Sequence, residues 1–466
     1  LFYFRRIDNK GAENNMRSSR LKGFFKLDRG ERVDSIREFG ELPVDQTRTL
    51  GKDGALPFEL ADLFIENAIG SFPLPLGIGT NFKVNGRDYI VPMAVEESSV
   101  VAAASNGARW AHECGGFQAQ CVSNLMIGQI QMLGLDPSHF DTAELTIHRN
   151  REIILKMANE VHPRLLMRGG GSRGLEVRKY PHAEVPFFVV HILIDPKDAM
   201  GANLVNSVCE KVAPYIEQIT GAKAGLKILS NLADRRLFKA SVKIRPEVIA
   251  LKDAGEEIDG LVVAEKIHEA WVFAHEDCYR ATTHNKGIMN GIDPVVIATG
   301  NDWRAIESGC HAFAARSGQY RSLSKWFIDS DGMLCGEMEI PLQLGTVGGV
   351  TRLHPLAQLS LSILGNPTSQ ELGCVIASVG LASNLSALRA LVTTGIQRGH
   401  MKLHAKNLAL AAGARGKEVE VIATQMVRDK KVSASHAERA LELHRETHVD
   451  PAIQVNVGHR APEVRL

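Results

Sequence analysis

Between residues 124 and 232 the apolar segments come in an order that a doubly wound sheet cannot accommodate. N-L-M-I-G-Q-I-Q-M-L-G-L (124–135) reads as a strand and a charged helix covers about 141–161. L-E-V-R-K-Y and P-F-F-V-V-H-I-L-I (186–194) are two more strands, and a long helix runs from Asp198 to about Thr220. Strands and helices so few and so mixed make a compact α+β unit inserted into a larger domain, which resumes near residue 233. The glycine cluster G-G-G-S-R-G (169–174) satisfies the G-x-G-x-x-G spacing of a dinucleotide fingerprint. Its context does not, because a Rossmann fingerprint follows a strand and opens a helix, whereas here a helix precedes and a strand follows.

The bulk numbers narrow the function classes. A chain of 466 residues has room for roughly two to four domains. Its 54 Lys and Arg nearly balance 53 Asp and Glu, so a broad cationic face for nucleic acid or acidic membrane is not expected. Seven scattered cysteines without a C-x-x-C pair read as reduced thiols in a cytoplasmic protein. The run at 185–194 is about half the length needed to cross a bilayer, and no transmembrane helix is expected. Residues 1–19 are treated as a frayed extension.

Elsewhere punctuation sets the elements. From 54 to 70 a helix is expected, with Pro57 in its first turn and Gly70 at its end. F-K-V-N-G-R-D-Y-I-V predicts a hairpin on the Asn85-Gly86 pair. After Gly399 the chain turns helical, with amphipathic segments over 417–429 and 433–447.

Four places carry chemistry. In T-H-N-K-G-I-M-N-G-I-D-P-V-V-I-A-T-G-N-D-W-R-A (283–305), Lys286 and Asp302 flank an apolar run, Val295–Thr299, that reads as a short buried strand. The plain reading makes both solvated loop charges. D-A-M-G-A-N (198–203) opens the long helix, with Asp198 as its cap and small residues that leave amides open to an anionic ligand. The plain reading is an ordinary capped helix. P-M-A-V-E-E-S-S (92–99) puts Glu96 and Glu97 at a strand-to-helix junction that Ser98 or Ser99 could cap. An inward glutamate there is either an ion-pair partner or, beside a lysine in a dry cleft, a proton donor. His400 and His404 share a helix face, but the Glu of H-E-x-x-H is missing and no third ligand is evident, so no metal is expected. Either could serve as a general acid.

With these residues assembled, the chain resembles the soluble, class II 3-hydroxy-3-methylglutaryl-CoA (HMG-CoA) reductases from about Arg20 to about residue 445. The likeness is carried by E-N-A-I-G, N-F-K-V-N-G-R-D, V-P-M-A-V-E-E-S-S-V-V-A-A-A-S, D-A-M-G-A-N-L-V-N, the 283–305 segment, G-T-V-G-G-V-T-R-L-H-P and G-I-Q-R-G-H-M, in that order. The resemblance implies an α+β fold with a large mixed domain around a central helix (20–123 and 233–395). It also implies an inserted small antiparallel dinucleotide-binding domain of non-Rossmann type (124–232) and a helical C-terminal flap (396–466).

The implied reaction is reduction of HMG-CoA to mevalonate and coenzyme A by two NADPH or NADH, or its reverse. By resemblance Glu97, Lys286, Asp302 and His400 are catalytic. Asp198, Ala199, Met200, Gly201 and Asn203 would meet the dinucleotide, and Arg280, Ser99, Asn290 and Lys26 the substrate. His162 stands where an NADH-selective relative has an acid, and with Arg164 or Arg168 it favours NADPH. Ser383 replaces a glutamine that contacts substrate, which puts that contact in doubt. A homodimer with interfacial active sites is implied, possibly assembled further. A catalytically silent coenzyme A-binding protein is the alternative reading; the complete set of four catalytic residues argues against it.

Overall fold

Asn85 and Gly86 adopt φ values of 51° and 82°. That left-handed pair is what a type I′ turn needs, and it joins β1 (Leu76–Val84) to β2 (Arg87–Ala94) as the sequence predicts. The computed structural model describes residues 18–52, 56–253, 256–393, 396–429 and 431–447. Ser19, at the edge of the expected extension, is fully buried. Its amide donates to Asp88 Oδ2 at 2.7 Å and its hydroxyl to the Phe82 carbonyl at 2.9 Å, which ties Ser19 to the hairpin.

The helix expected over 54–70 is shorter, Phe58–Phe64. Ile65 turns extended at φ −141° and Asn67 goes left-handed at 56°, so the chain leaves the helix half-way. The departure sets Leu63, Ile65, Ile69 and Phe72 in the open, Ile69 completely.

The remaining strands are β3 (Gln118–Cys121), β4 (Met126–Leu133), β5 (Gly171–Tyr180), β6 (Phe187–Asp195), β7 (Lys223–Leu229), β8 (Leu237–Ile244), β9 (Leu251–Asp253), β10 (Glu256–Ile258), β11 (Ser324–Ile328) and β12 (Leu334–Pro341). One antiparallel sheet, in the order β11-β12-β8-β3, belongs to the large part of the chain. A 24-residue helix, Ser369–Val392, packs against it. By length and hydropathy this helix could cross a membrane, yet it is buried from Leu372 to Leu385 on every face, as a core helix is. Neighbours approach its backbone closely: a Cβ on Gly107 would fall 2.0 Å from the Ala382 carbonyl, and one on Gly291 2.8 Å from that of Val379.

The inserted segment forms the small antiparallel sheet β5-β6-β4-β7. Its alternate residues Met126, Ile130, Met132, Phe188, Val190 and Ile192 bury one face against Val205, Val208, Val212 and Ile216 of the Ala202–Thr220 helix. The helix expected near 141–161 is two, Phe140–Arg149 and Arg151–Glu160, broken at Asn150. The glycine cluster runs into β5 instead of opening a helix.

By chain contacts the molecule divides into two compact units, Leu1–Arg389 and Ala390–Leu466. The second is helical: Ile396–Ala411, Lys417–Arg428 and Ala434–Thr447 close around Ala405, Ala409, Ile422, Met426 and Leu441.

Candidate active site

The 283–305 segment is the first correction. Asp277 caps a helix by accepting from the Arg280 amide at 2.7 Å, and that helix runs without a break from Cys278 to Ala298. Val295 and Val296 are its buried face, with Pro294 inside it, and no strand lies between Lys286 and Asp302. A short apolar run cannot by itself distinguish strand from buried helix. Twelve residues of helix separate Lys286 from Ala298, about 18 Å of rise. Asp302 instead caps the next helix, Trp303–Ala314, accepting from the Ala305 amide at 3.1 Å and pairing with Arg304 at 3.3 Å. Both bonds fall on Oδ1, and among the described residues neither carboxylate oxygen bonds Lys286.

Lys286 finds its partner across the fold. Its Nζ donates to Glu97 Oε2 at 3.1 Å, joining the helix to the turn after β2. Lys286 is 59% and Glu97 43% exposed, so in the single chain this pair faces water and not the dry cleft expected. Beside it, Ser99 is forced to φ 75° and makes no cap bond to the Val100–Glu113 helix that it precedes. A left-handed serine costs about 1–3 kcal/mol, and such strain collects at functional turns. Its hydroxyl is buried and has no partner among the described residues. Asn290 lies one turn beyond Lys286 on the same face, and its side chain has no partner among the described residues. Arg280 is half-buried, burial pulling its pKa down, and among the described residues no acid pairs with it. Together these residues offer two cations, an amide, an orphan hydroxyl and one carboxylate.

Ser383 is buried in the core helix, its Cβ against Gly291, directly beside Asn290. Sequence reasoning missed the acids below. Asp293, two turns from Lys286 on its face, is held protonated by burial and by the neighbouring Glu307 carboxyl. Glu307 bonds His311 at 2.6 Å, and His311 bonds Tyr320 at 2.6 Å. The E-x-x-x-H spacing on one helix was the available signal.

At the expected dinucleotide loop the helix start is displaced. The helix begins at Ala202, with Gly201 at φ 101° as a cap that lacks a side chain, so among the described residues the first-turn amides have no acceptor. Asp198 does not cap it. Its carboxylate accepts from the Ser369 amide at 2.9 Å, at the start of the core helix. Ala199 and Met200 are partly covered and Asn203 is exposed. Beneath the loop lies Arg236, also missed, which is fully buried. His162 precedes a short helix, Pro163–Met167, with its Nε2 buried and without a partner among the described residues, while Arg164 and Arg168 are exposed. Lys26 is exposed, its ammonium 5.7 Å from the Phe25 ring. The His400 side chain lies outside the described residues, and His404 is exposed. Among the described residues no cluster of His, Cys, Asp or Glu could hold a metal ion.

The family profile described as hydroxymethylglutaryl-coenzyme A reductase matches residues 29–405. The chain is 48% identical over 439 residues to the 3-hydroxy-3-methylglutaryl-coenzyme A reductase of Archaeoglobus fulgidus, covering 94% of this chain and 98% of that one. It is 40% identical over 349 residues to a probable reductase of the same name from Borreliella burgdorferi, covering 74% and 77%. A solved reductase from Streptococcus pneumoniae superposes with a TM-score of 0.76 at 42% identity, over 91% of this chain and 99% of that one. A class II reductase structure from the same organism, bound to NADPH in open conformations, gives 0.75 at 42% identity over 90% and 100%. A fold with a buried core helix, an antiparallel insertion and a Lys–Glu pair at its junction, matched over nearly its whole length, belongs to the class II hydroxymethylglutaryl-coenzyme A reductase family.

Proposed function

We propose that this chain reduces HMG-CoA to mevalonate and coenzyme A in two hydride steps, or catalyses the reverse. The observation that carries this is the Lys286–Glu97 bond at 3.1 Å, with the Ser99 hydroxyl two residues from Glu97, and Asn290 and Arg280 on the Lys286 helix, all three side chains without a partner among the described residues. The nicotinamide cofactor supplies hydride. Each hydride turns a carbonyl oxygen into an oxyanion, and the Lys286 ammonium is placed to stabilise that charge. Glu97, bonded to it, delivers a proton to the aldehyde-level oxygen. Arg280 holds the substrate carboxylate through its planar fork, and Ser99 and Asn290 take the tertiary hydroxyl. Lys26 meets a coenzyme A phosphate. His400 protonates the departing coenzyme A thiolate and belongs to the terminal helical flap.

Exposure of the pair supports a dimeric enzyme. In water Lys286 would stabilise an oxyanion weakly, so closure by other protein surface is needed. Leu63, Ile65, Ile69 and Phe72 expose apolar surface close together in sequence, which suits burial against a second copy. Asp302, bonded elsewhere within its own chain, joins the Lys286–Glu97 network in that assembly. Domain limits of 20–123 with 233–395, 124–232 and 396–466 fit this division of labour. Seven free cysteines suit a reducing, cytoplasmic setting.

The fit of a dinucleotide rests on the start of the Ala202–Thr220 helix, which no side chain caps. Asp198, Ala199, Met200, Gly201 and Asn203 line that start. His162, with its unpartnered Nε2 and Arg164 and Arg168 nearby in sequence, favours the 2′-phosphate of NADPH. The test is loss of nicotinamide absorbance with HMG-CoA and purified protein, NADPH and NADH side by side. Turnover faster with NADPH is expected. No turnover with either, in protein that still binds coenzyme A, would overturn the proposal in favour of a silent scaffold.

A further inference from the structure

We infer that Arg236 is the positioning residue for the dinucleotide phosphates, shaping their loop from inside the protein. The inference rests on the reading of residues 198–203 as the phosphate site. Arg236 immediately precedes β8 and has no exposed surface. Its Nε donates to Asn124 Oδ1 at 2.9 Å and its Nη1 to the Met200 carbonyl at 3.0 Å. Nη2 reaches the carbonyls of Lys197 at 3.4 Å, Ala199 at 3.3 Å and Leu344 at 2.6 Å. Three of these five oxygens belong to the loop itself, at residues 197, 199 and 200.

The geometry has a direct consequence for the amides. In a trans peptide the carbonyl and the following N–H point to opposite sides. Drawing in the carbonyls of Lys197, Ala199 and Met200 therefore turns the N–H groups of Asp198, Met200 and Gly201 away from Arg236. Among the described residues none of those three amides has an acceptor. They join the free first-turn amides of the Ala202–Thr220 helix, so the row of donors is fixed before any ligand arrives.

Charge adds to shape. Among the described residues no carboxylate hydrogen-bonds the guanidinium. Asp195 is engaged by Lys197 at 2.9 Å and by Asn124 at 3.0 Å, and Asp198 by the Ser369 amide. Burial pulls the Arg236 pKa to about 10, still far above neutrality, so the group stays charged. Asp195 and Asp198 offset part of that charge from nearby without bonding it, and an anion settling above the loop would add to them.

The arrangement also links the inserted sheet to the large domain, since Asn124 and loop 197–200 lie on one side and Leu344 on the other. A structural strap and a positioning residue thus make different predictions. The experiment compares Arg236→Met, Arg236→Lys and Asn124→Ala, the last freeing Nε while keeping the guanidinium, all in the full chain with folding checked by a cooperative melt. KM for NADPH is expected to rise at least tenfold in Arg236→Met. KM for HMG-CoA should stay within twofold, and kcat at saturating NADPH within threefold. Arg236→Lys, which keeps the charge but not the fork, should recover part of the loss, and Asn124→Ala should show a smaller rise in the same constant.

If Arg236→Met does not fold, the other two decide by the same criterion. Equal rises in both KM values, or unchanged NADPH binding in a folded variant, would overturn the inference and leave Arg236 a strap. Failure of the unmodified chain to bind NADPH or NADH by fluorescence titration would instead overturn the phosphate-site reading beneath it.

Discussion

Replacing Lys286 by methionine separates what this residue does for folding from what it does for chemistry. The ion pair with Glu97 is 59% and 43% exposed, and exposed pairs contribute about 0–1 kcal/mol to stability. A loss of that size moves the melting temperature by no more than about 4 °C in a chain this long. The cost to the reaction is much larger. Each hydride transfer leaves one oxyanion, and removing a principal donor to such a charge lowers kcat by about 10²–10³, equivalent to about 2.7–4 kcal/mol. Lys286→Met should therefore melt almost as the parent does and bind coenzyme A, yet reduce both HMG-CoA and free mevaldehyde at least a hundredfold more slowly. Nicotinamide absorbance at saturating cofactor reads both rates. A loss below tenfold on either substrate, or one explained by the unfolded fraction, would refute the oxyanion role and shift attention to Arg280.

Three further outcomes are expected. His400→Gln should slow thioester reduction by about 10²–10⁴, the usual worth of a general acid, and spare mevaldehyde, because only the first has a thiolate to protonate; equal losses would remove that assignment. Ile69→Lys should turn a dimer into an inactive but folded monomer by light scattering, since the residue is completely exposed in the single chain; an active monomer would contradict the interfacial site. His284 is buried against Ser324 and Asn384, and burial, then Arg280, pushes its pKa down to about 3 from 6.5. The unfolded chain binds its proton first, so its contribution is full above about pH 6.5 and is lost as pH falls towards 3. Its part of the slope is at most about 1.4 kcal/mol per pH unit, and urea midpoints of His284→Gln between pH 7 and 5 should show a shallower decline than the parent.

Legibility in the sequence followed distance along the chain. Asn85-Gly86 declared its hairpin because a type I′ turn is decided by two adjacent residues. The helix after D-A-M-G-A-N was readable for the same reason, but its cap was not: the Asp198 carboxylate is taken by Ser369, 171 positions away. Arg236, in D-R-R, looks like surface charge until five oxygens from three separate segments enclose it. The Val295–Thr299 run misled because β-branched residues in a buried helix look like a strand. The cap at Asp277 and the apolar spacing of Ala281, Ile288 and Ile292 were better guides. Candidate site residues were identified by resemblance, while their contacts required the fold: Lys286 and Glu97 are 189 positions apart.

The close contact at Gly291 reaches beyond packing. It presses the Lys286 helix onto the core helix backbone, next to Asn290 and against Ser383. Lys286 and Asn290 thereby take their coordinates from the most deeply buried part of the molecule, while Glu97 and Ser99 take theirs from a strained surface turn. The turn can shift without disturbing the core, so the proton donor and the hydroxyl contact have more room to adjust to a substrate than the ammonium has. The lysine side of the site is anchored, and a lineage changing its acyl substrate would have to do so around a fixed ammonium.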